Sequence, residues 1–212
     1  DLIAEFHQIE ELIIEGGGEV TPEIEAKLND NSDDINLTID CVISNKANAY
    51  GLQRAKQVGI PVCTIEHSQF PSREKFDQEL SNVINTYNPK IIILAGFMRI
   101  LSTKFTKKYC GKMLNIHPSL LPKFQGLNTH QRAIEAGEKK HGVSIHFVTE
   151  ELDGGPIIAQ STIEILDDDN AESLAKRVLI EEHKLYPKVI HWFTQGRLKF
   201  KNNKAVLDGK IL

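Results

Sequence analysis

Residues 90–96, Lys-Ile-Ile-Ile-Leu-Ala-Gly, decide the fold class. An apolar run of this length with no polar alternation reads as a strand covered on both faces, which is the habit of parallel sheets sandwiched by helices. Gly96 ends the run, and Phe97-Met98-Arg99-Ile100-Leu101 follows where an open sheet of this kind presents its ligand loops, at the carboxyl end of a strand. Working back, Ser72 is placed to cap a helix to about Tyr87, with Phe76, Leu80, Val83 and Ile84 at helical spacing. Before it, Leu37 to Ile43 reads as a strand, Ala49 to Val58 as a helix stopped by Gly59 and Pro61, and Val62 to Ile65 as a second strand. Working forward, Met113 to Ile116 is a strand, Asn128 or Thr129 opens a helix ended by Gly137, and Val143 to Val148 and Ile157 to Ile165 are strands. Asp153-Gly154-Gly155-Pro156 makes the turn between these last two. A long helix from near Asn170 to Trp192 stops before Gly196, and 198–212 reads as short strands broken at Asn202-Asn203 and Asp208-Gly209. Alternation of this kind predicts an α/β fold, a mostly parallel twisted sheet with helices on both faces.

The composition fits that expectation. Of 212 residues, 41% are hydrophobic and 25% charged, enough apolar material for one substantial core and unlike a disordered chain. No apolar run approaches the roughly 20 residues that cross a bilayer, and no leader is recognisable, so a cytoplasmic chain is expected. Cys41, Cys63 and Cys110 are scattered and odd in number, which favours free thiols over disulfides or a zinc site. His141, His146, His130, His183 and His191 lack metal-ligand spacing, and no metal is expected. The net charge of −4 hides an asymmetry: residues 1–40 hold twelve carboxylates against Lys27 alone, so the rest carries +7. A mildly basic body suits small anionic ligands. Its lysines and arginines form no run interleaved with aromatics, so small-molecule substrates are expected and nucleic acid or membrane partners are not.

The first 35 residues read differently, as an acidic segment ahead of a domain spanning 36–212. Leu2, Ile3, Phe6, Ile9, Leu12 and Ile13 recur at helical spacing, Gly16-Gly17-Gly18 interrupts, and Thr21-Pro22-Glu23 is a helix start. A helical hairpin is the preferred reading. The competing one makes Leu12 to Glu15 a strand and the glycines a phosphate loop.

Two segments carry chemistry: Met113-Leu114-Asn115-Ile116-His117-Pro118-Ser119-Leu120-Leu121-Pro122, and Glu150-Glu151-Leu152-Asp153-Gly154-Gly155-Pro156, which sets Asp153 36 positions after His117. They resemble the paired signatures of the folate-dependent formyltransferases, and Gly126-Leu127-Asn128-Thr129-His130-Gln131-Arg132-Ala133 narrows the likeness to the phosphoribosylglycinamide formyltransferases of purine synthesis. The likeness covers about 35–212. It implies formyl transfer from the cosubstrate 10-formyltetrahydrofolate to an amine, by a monomer or homodimer, with Asn115, His117 and Asp153 as the catalytic trio. The formyltetrahydrofolate hydrolases share this domain and are an alternative, as is a noncatalytic folate-binding protein.

Formyl transfer needs donors for a tetrahedral oxyanion and a path for a proton from the attacking nitrogen to the departing one. Asn115 and a protonated His117, on one side of a strand, supply donors, and Asp153 favours the imidazolium. By the same resemblance Asp153 orders a water that relays the proton. For the folate the likeness implies Arg73, Met98, Arg99, Ile100, Leu101, Asn115 and the loop Thr149, Glu150, Glu151, Leu152, Asp153. For the amine substrate it implies Gly96, Met98, Pro118, Leu179, Ile180, Glu181 and Glu182. Leu179 departs from the polar residue expected there. The family's Gly-x-Gly-Ser-Asn phosphate loop has Gly16, Gly17 and Gly18 as its positional counterpart, followed by Glu19 and Val20, which offer neither its hydroxyl nor its amide.

Overall fold

A computed structural model of the chain describes residues 11–16 and 38–212. It contains two compact units, one ending at Leu114 and one running from Asn115 to Leu212.

In the first unit the strands are β1 (Glu11–Gly16), β2 (Thr38–Ser44), β3 (Val62–Thr64) and β4 (Ile91–Ala95), ordered β3-β2-β1-β4. β4 is the Ile-Ile-Ile-Leu run, and every one of its residues is buried, as a strand without polar alternation must be. Helix α1 (Tyr50–Gln57) leads from β2 towards β3, its partner in a parallel ladder pairing Val42 with Val62 and Ser44 with Thr64. Helix α2 (Arg73–Tyr87) starts where expected: Ser72 is extended and its hydroxyl accepts the Lys75 N–H. It buries Phe76, Leu80 and Ile84 and ends at Asn88, whose φ of 47° is the left-handed stop usually given to glycine. A short helix α3 (Thr103–Lys108) follows β4.

The second unit takes up β5 (Met113–His117) at Asn115 and continues with α4 (Thr129–Glu135), β6 (Lys140–Phe147), β7 (Ile157–Glu164) and α5 (Ala171–Thr194). A separate meander of β8 (Leu198–Lys201), β9 (Lys204–Leu207) and β10 (Lys210–Ile211) closes it, with turns at the two predicted breaks. β6 and β7 are antiparallel, and their register slips at Ile145/His146. α5 begins in a reciprocal cap between Asn170 and Ser173, and its buried stripe is Leu174, Val178, Glu182, Tyr186 and Ile190.

Two expectations change. Residues 11–16 form a strand, where the preferred reading made Leu12 and Ile13 helical. A short run such as Leu12-Ile13-Ile14 satisfies both periods, and here backbone partners on either side decide it. The rest of the proposed hairpin lies outside the described residues. β1 also runs antiparallel to both β2 and β4. Those two therefore point the same way, and β1 is a reversed strand between them. Gly16 pairs with Thr38 at the start of β2, while Glu11 pairs with Ala95 at the end of β4. Gly16 thus sits at the amino-terminal rim of the parallel strands, the end opposite to their ligand loops. Gly17 and Gly18 lie outside the described residues.

Candidate active site

Asn115 and His117 occupy alternate positions of β5, so both side chains leave the same face while Ile116 goes into the core. His117 is 6% exposed. Its Nε2 lies 2.9 Å from the Phe124 carbonyl oxygen, and because a carbonyl can only accept, that nitrogen carries a hydrogen. The other nitrogen, Nδ1, lies 3.4 Å from Asp153 Oδ2.

Asp153 is brought in by the turn after β6. Its φ of 48° lies in the left-handed region that Asp tolerates better than most residues, and Oδ2 also accepts the Gly126 N–H at 2.9 Å. The 118–128 loop is thereby fastened to the carboxylate, with Gln125 Nε2 reaching the Asp153 carbonyl at 3.4 Å. Arg132 Nη1 holds the same loop from α4, donating to the carbonyls of Gln125 at 2.6 Å and Leu127 at 3.1 Å. Ser144 on β6 holds it from below: its hydroxyl donates to the Ser119 carbonyl and accepts the Leu121 N–H. His141 adds a hydrogen bond to the Pro118 backbone.

One member was missed from the sequence. His146, 2% exposed, stands two residues beyond Ser144 and so on the same face of β6. Its Nδ1 donates to the Phe147 carbonyl at 2.9 Å, which leaves Nε2 a bare acceptor facing Asn115 Nδ2 at 3.1 Å. Burial pushes the imidazole below its ordinary pKa, against the opposing pull of Asp153, and keeps it neutral near pH 7. An acceptor at that point fixes the Asn115 amide with its NH2 towards His146, leaving one N–H and Oδ1 for other partners. The period of β6 was the available signal, since His146 shares a face with Ser144.

Gly155 explains part of the Asp-Gly-Gly sequence. A Cβ there would lie 1.8 Å from the Phe147 carbonyl oxygen, the acceptor of His146 Nδ1.

The remaining predicted residues divide between the units. On the first, Gly96 has φ of 62°, and Met98 and Ile100 are each 57% exposed. The Arg99 guanidinium turns inward, 4.9 Å over the Phe76 ring, and Leu101 is half-buried. Arg73 lies beside Glu74 at 3.6 Å. On the second unit, Thr149 is half-buried, and Glu150, Glu151 and Leu152 are exposed on the turn before Asp153. Pro118 adjoins His117, Leu179 is half-buried and Ile180 exposed. Glu181 accepts from Lys184 and from the Ser161 hydroxyl, both of which hold its carboxyl below the usual range. Glu182 is 2% exposed and lies on the buried stripe of α5, so the solvated helical glutamate is not what the chain builds. A carboxylate in line with Leu174, Val178, Tyr186 and Ile190 departs from the rule that buried glutamates are rare.

The chain resembles known proteins over most of its length. The formyl transferase family model matches residues 11–190. The phosphoribosylglycinamide formyltransferase of Escherichia coli K12 is 52% identical over 175 residues, covering 82% of each chain. The human trifunctional purine biosynthetic protein adenosine-3 is 42% identical over 168 residues, 79% of this chain and 17% of its own length. Among solved structures, phosphoribosylglycinamide formyltransferase of Coxiella burnetii, in complex with CHES, superposes with TM-score 0.82 at 50% identity over 89% of both chains. Glycinamide ribonucleotide transformylase 1 of Symbiobacterium toebii gives 0.80 at 37% identity over 87% of both. Matched by one family model over most of its length and half identical to curated members, the chain belongs to the formyl transferase family.

Proposed function

We propose that this chain transfers the formyl group of 10-formyltetrahydrofolate to the amine of phosphoribosylglycinamide, the activity named for its relatives. The observation that carries the reading is the joining of Asn115, His117 and Asp153 into one buried cluster by a strand and a turn distant in sequence. The amine nitrogen attacks the formyl carbon, the carbonyl π pair becomes an oxyanion, and collapse of the intermediate expels the folate nitrogen, which collects the proton the amine gives up. The free N–H of Asn115 meets the oxyanion. The Nε2–H of His117 reaches the oxyanion when that oxygen takes the place of the Phe124 carbonyl. Asp153 Oδ2 is engaged by His117 and Gly126, whereas Oδ1 faces the acceptor nitrogen of His146 at 3.7 Å and keeps its lone pairs for a proton in transit, directly or through water.

On this reading Met98 and Ile100 offer apolar contact to a pterin ring, with neighbouring backbone amides for its polar edge. Glu182 and the half-buried Pro118 serve the amine substrate. The test is a formyl-transfer assay with both substrates, repeated with the amine lacking its phosphate. Turnover in the wild type with a loss of about a hundredfold or more in Asn115→Ala supports the proposal, that being the usual cost of one oxyanion donor. Full activity in Asn115→Ala or Asp153→Asn would sink it.

A further inference from the structure

Resting on that reading of the 98–101 loop as a folate contact, we infer that Phe76 and Asp77, two consecutive residues of α2, are positioning residues that set folate affinity by holding the loop from both ends. Asp77 is a carboxylate only 3% exposed on the buried side of the helix, a costly placement unless its oxygens are used. Its Oδ2 accepts the backbone N–H of Ser102 at 2.6 Å, a short charge-assisted bond to the residue just after the loop. Ser102 is itself buried and starts α3, where no side chain caps the helix. At the other end the Arg99 guanidinium lies over the face of Phe76, whose ring is braced edge-on by Phe70 at 5.8 Å.

The result is an alternation along the loop. Arg99 and Ser102 turn inward to the helix, and Met98 and Ile100 stand out in solvent, each 57% exposed. Two large apolar side chains presented to water by a short segment would lose that arrangement if its backbone were free. Held this way, the loop is ordered before a ligand arrives, and binding avoids the entropy of ordering it.

The test is binding of tetrahydrofolate by titration calorimetry, with steady-state kinetics of the same proteins. Asp77→Ala should weaken tetrahydrofolate binding about tenfold, the scale of one lost hydrogen bond to a charged group. Asp77→Asn keeps an oxygen acceptor for Ser102 and should restore most of the affinity. Phe76→Leu, which keeps apolar bulk and removes the ring under Arg99, should weaken binding about threefold. The KM for the amine and kcat at saturating folate should be unchanged in all three. Wild-type affinity in Asp77→Ala, or a parallel fall in kcat and both KM values that Asp77→Asn does not rescue, overturns the inference. A wild-type chain that turns over formylfolate while these variants bind normally overturns the inference alone; a wild-type chain that binds no tetrahydrofolate overturns the functional reading with it.

Discussion

At the scale of the residue, the site depends on where single protons sit. His146 acts by lacking one: its bare Nε2 orients the Asn115 amide, so a side chain without an acceptor there should release the amide. His146→Leu is expected to lower kcat by about ten- to a hundredfold, a fraction of the cost of losing the donor outright, with folate binding retained. Steady-state kinetics beside calorimetry separates the two effects. His146 also links stability to pH. Burial holds its pKa below 6.5 in the folded chain, so the unfolded chain takes up the proton first as pH falls. The stability it contributes is whole above the unfolded value, falls as pH drops through about 6.5 towards the depressed folded value, and changes no further below that. Melting temperatures from pH 8 to 5 should therefore decline on the acid side, and less steeply in His146→Gln. His141 is depressed by burial in the same sense, so that variant should leave part of the slope in place.

At the scale of the element, Gly155 has no room for a side chain, and Gly155→Ala should destabilise the chain by about 2–3 kcal/mol as it pushes the Phe147 carbonyl away from His146. Chemical denaturation measures that loss, and a neutral result would mean the turn relaxes freely. Elements with strong local signals were legible: Ser72 as the cap of α2, the unbroken apolar β4, and the stops at Gly137 and Gly196. α3 was not anticipated, because Thr103–Lys108 holds fewer than two helical turns of mixed residues between two loops. β1 was misassigned because tertiary partners outweighed a helical spacing. In the site, the trio could be named only through its resemblance to known enzymes, since each member alone reads as an ordinary strand or turn residue. The period of β6 puts His146 on the face of Ser144, but its pairing with Asn115 and the Gly126 bond to Asp153 depend on strand register and loop closure, which no local pattern encodes.

At the scale of the whole molecule, the residues proposed for the chemistry divide between the two units. The trio and His146 belong wholly to the second, and Gly96, Met98 and Ile100 to the first. The reversal of β1 bears on substrate binding, because it places Gly16 at the amino-terminal rim. Gly16→Ala should leave the KM for phosphoribosylglycinamide unchanged, whereas a phosphate-binding glycine would show a large rise in that KM. The same reversal bears on how the first unit can come apart. β1 lies between β2 and β4 and is laddered to both, so its four-strand order has no β2–β4 bonding to fall back on. Loss of that one strand would part the sheet of the first unit into two pieces.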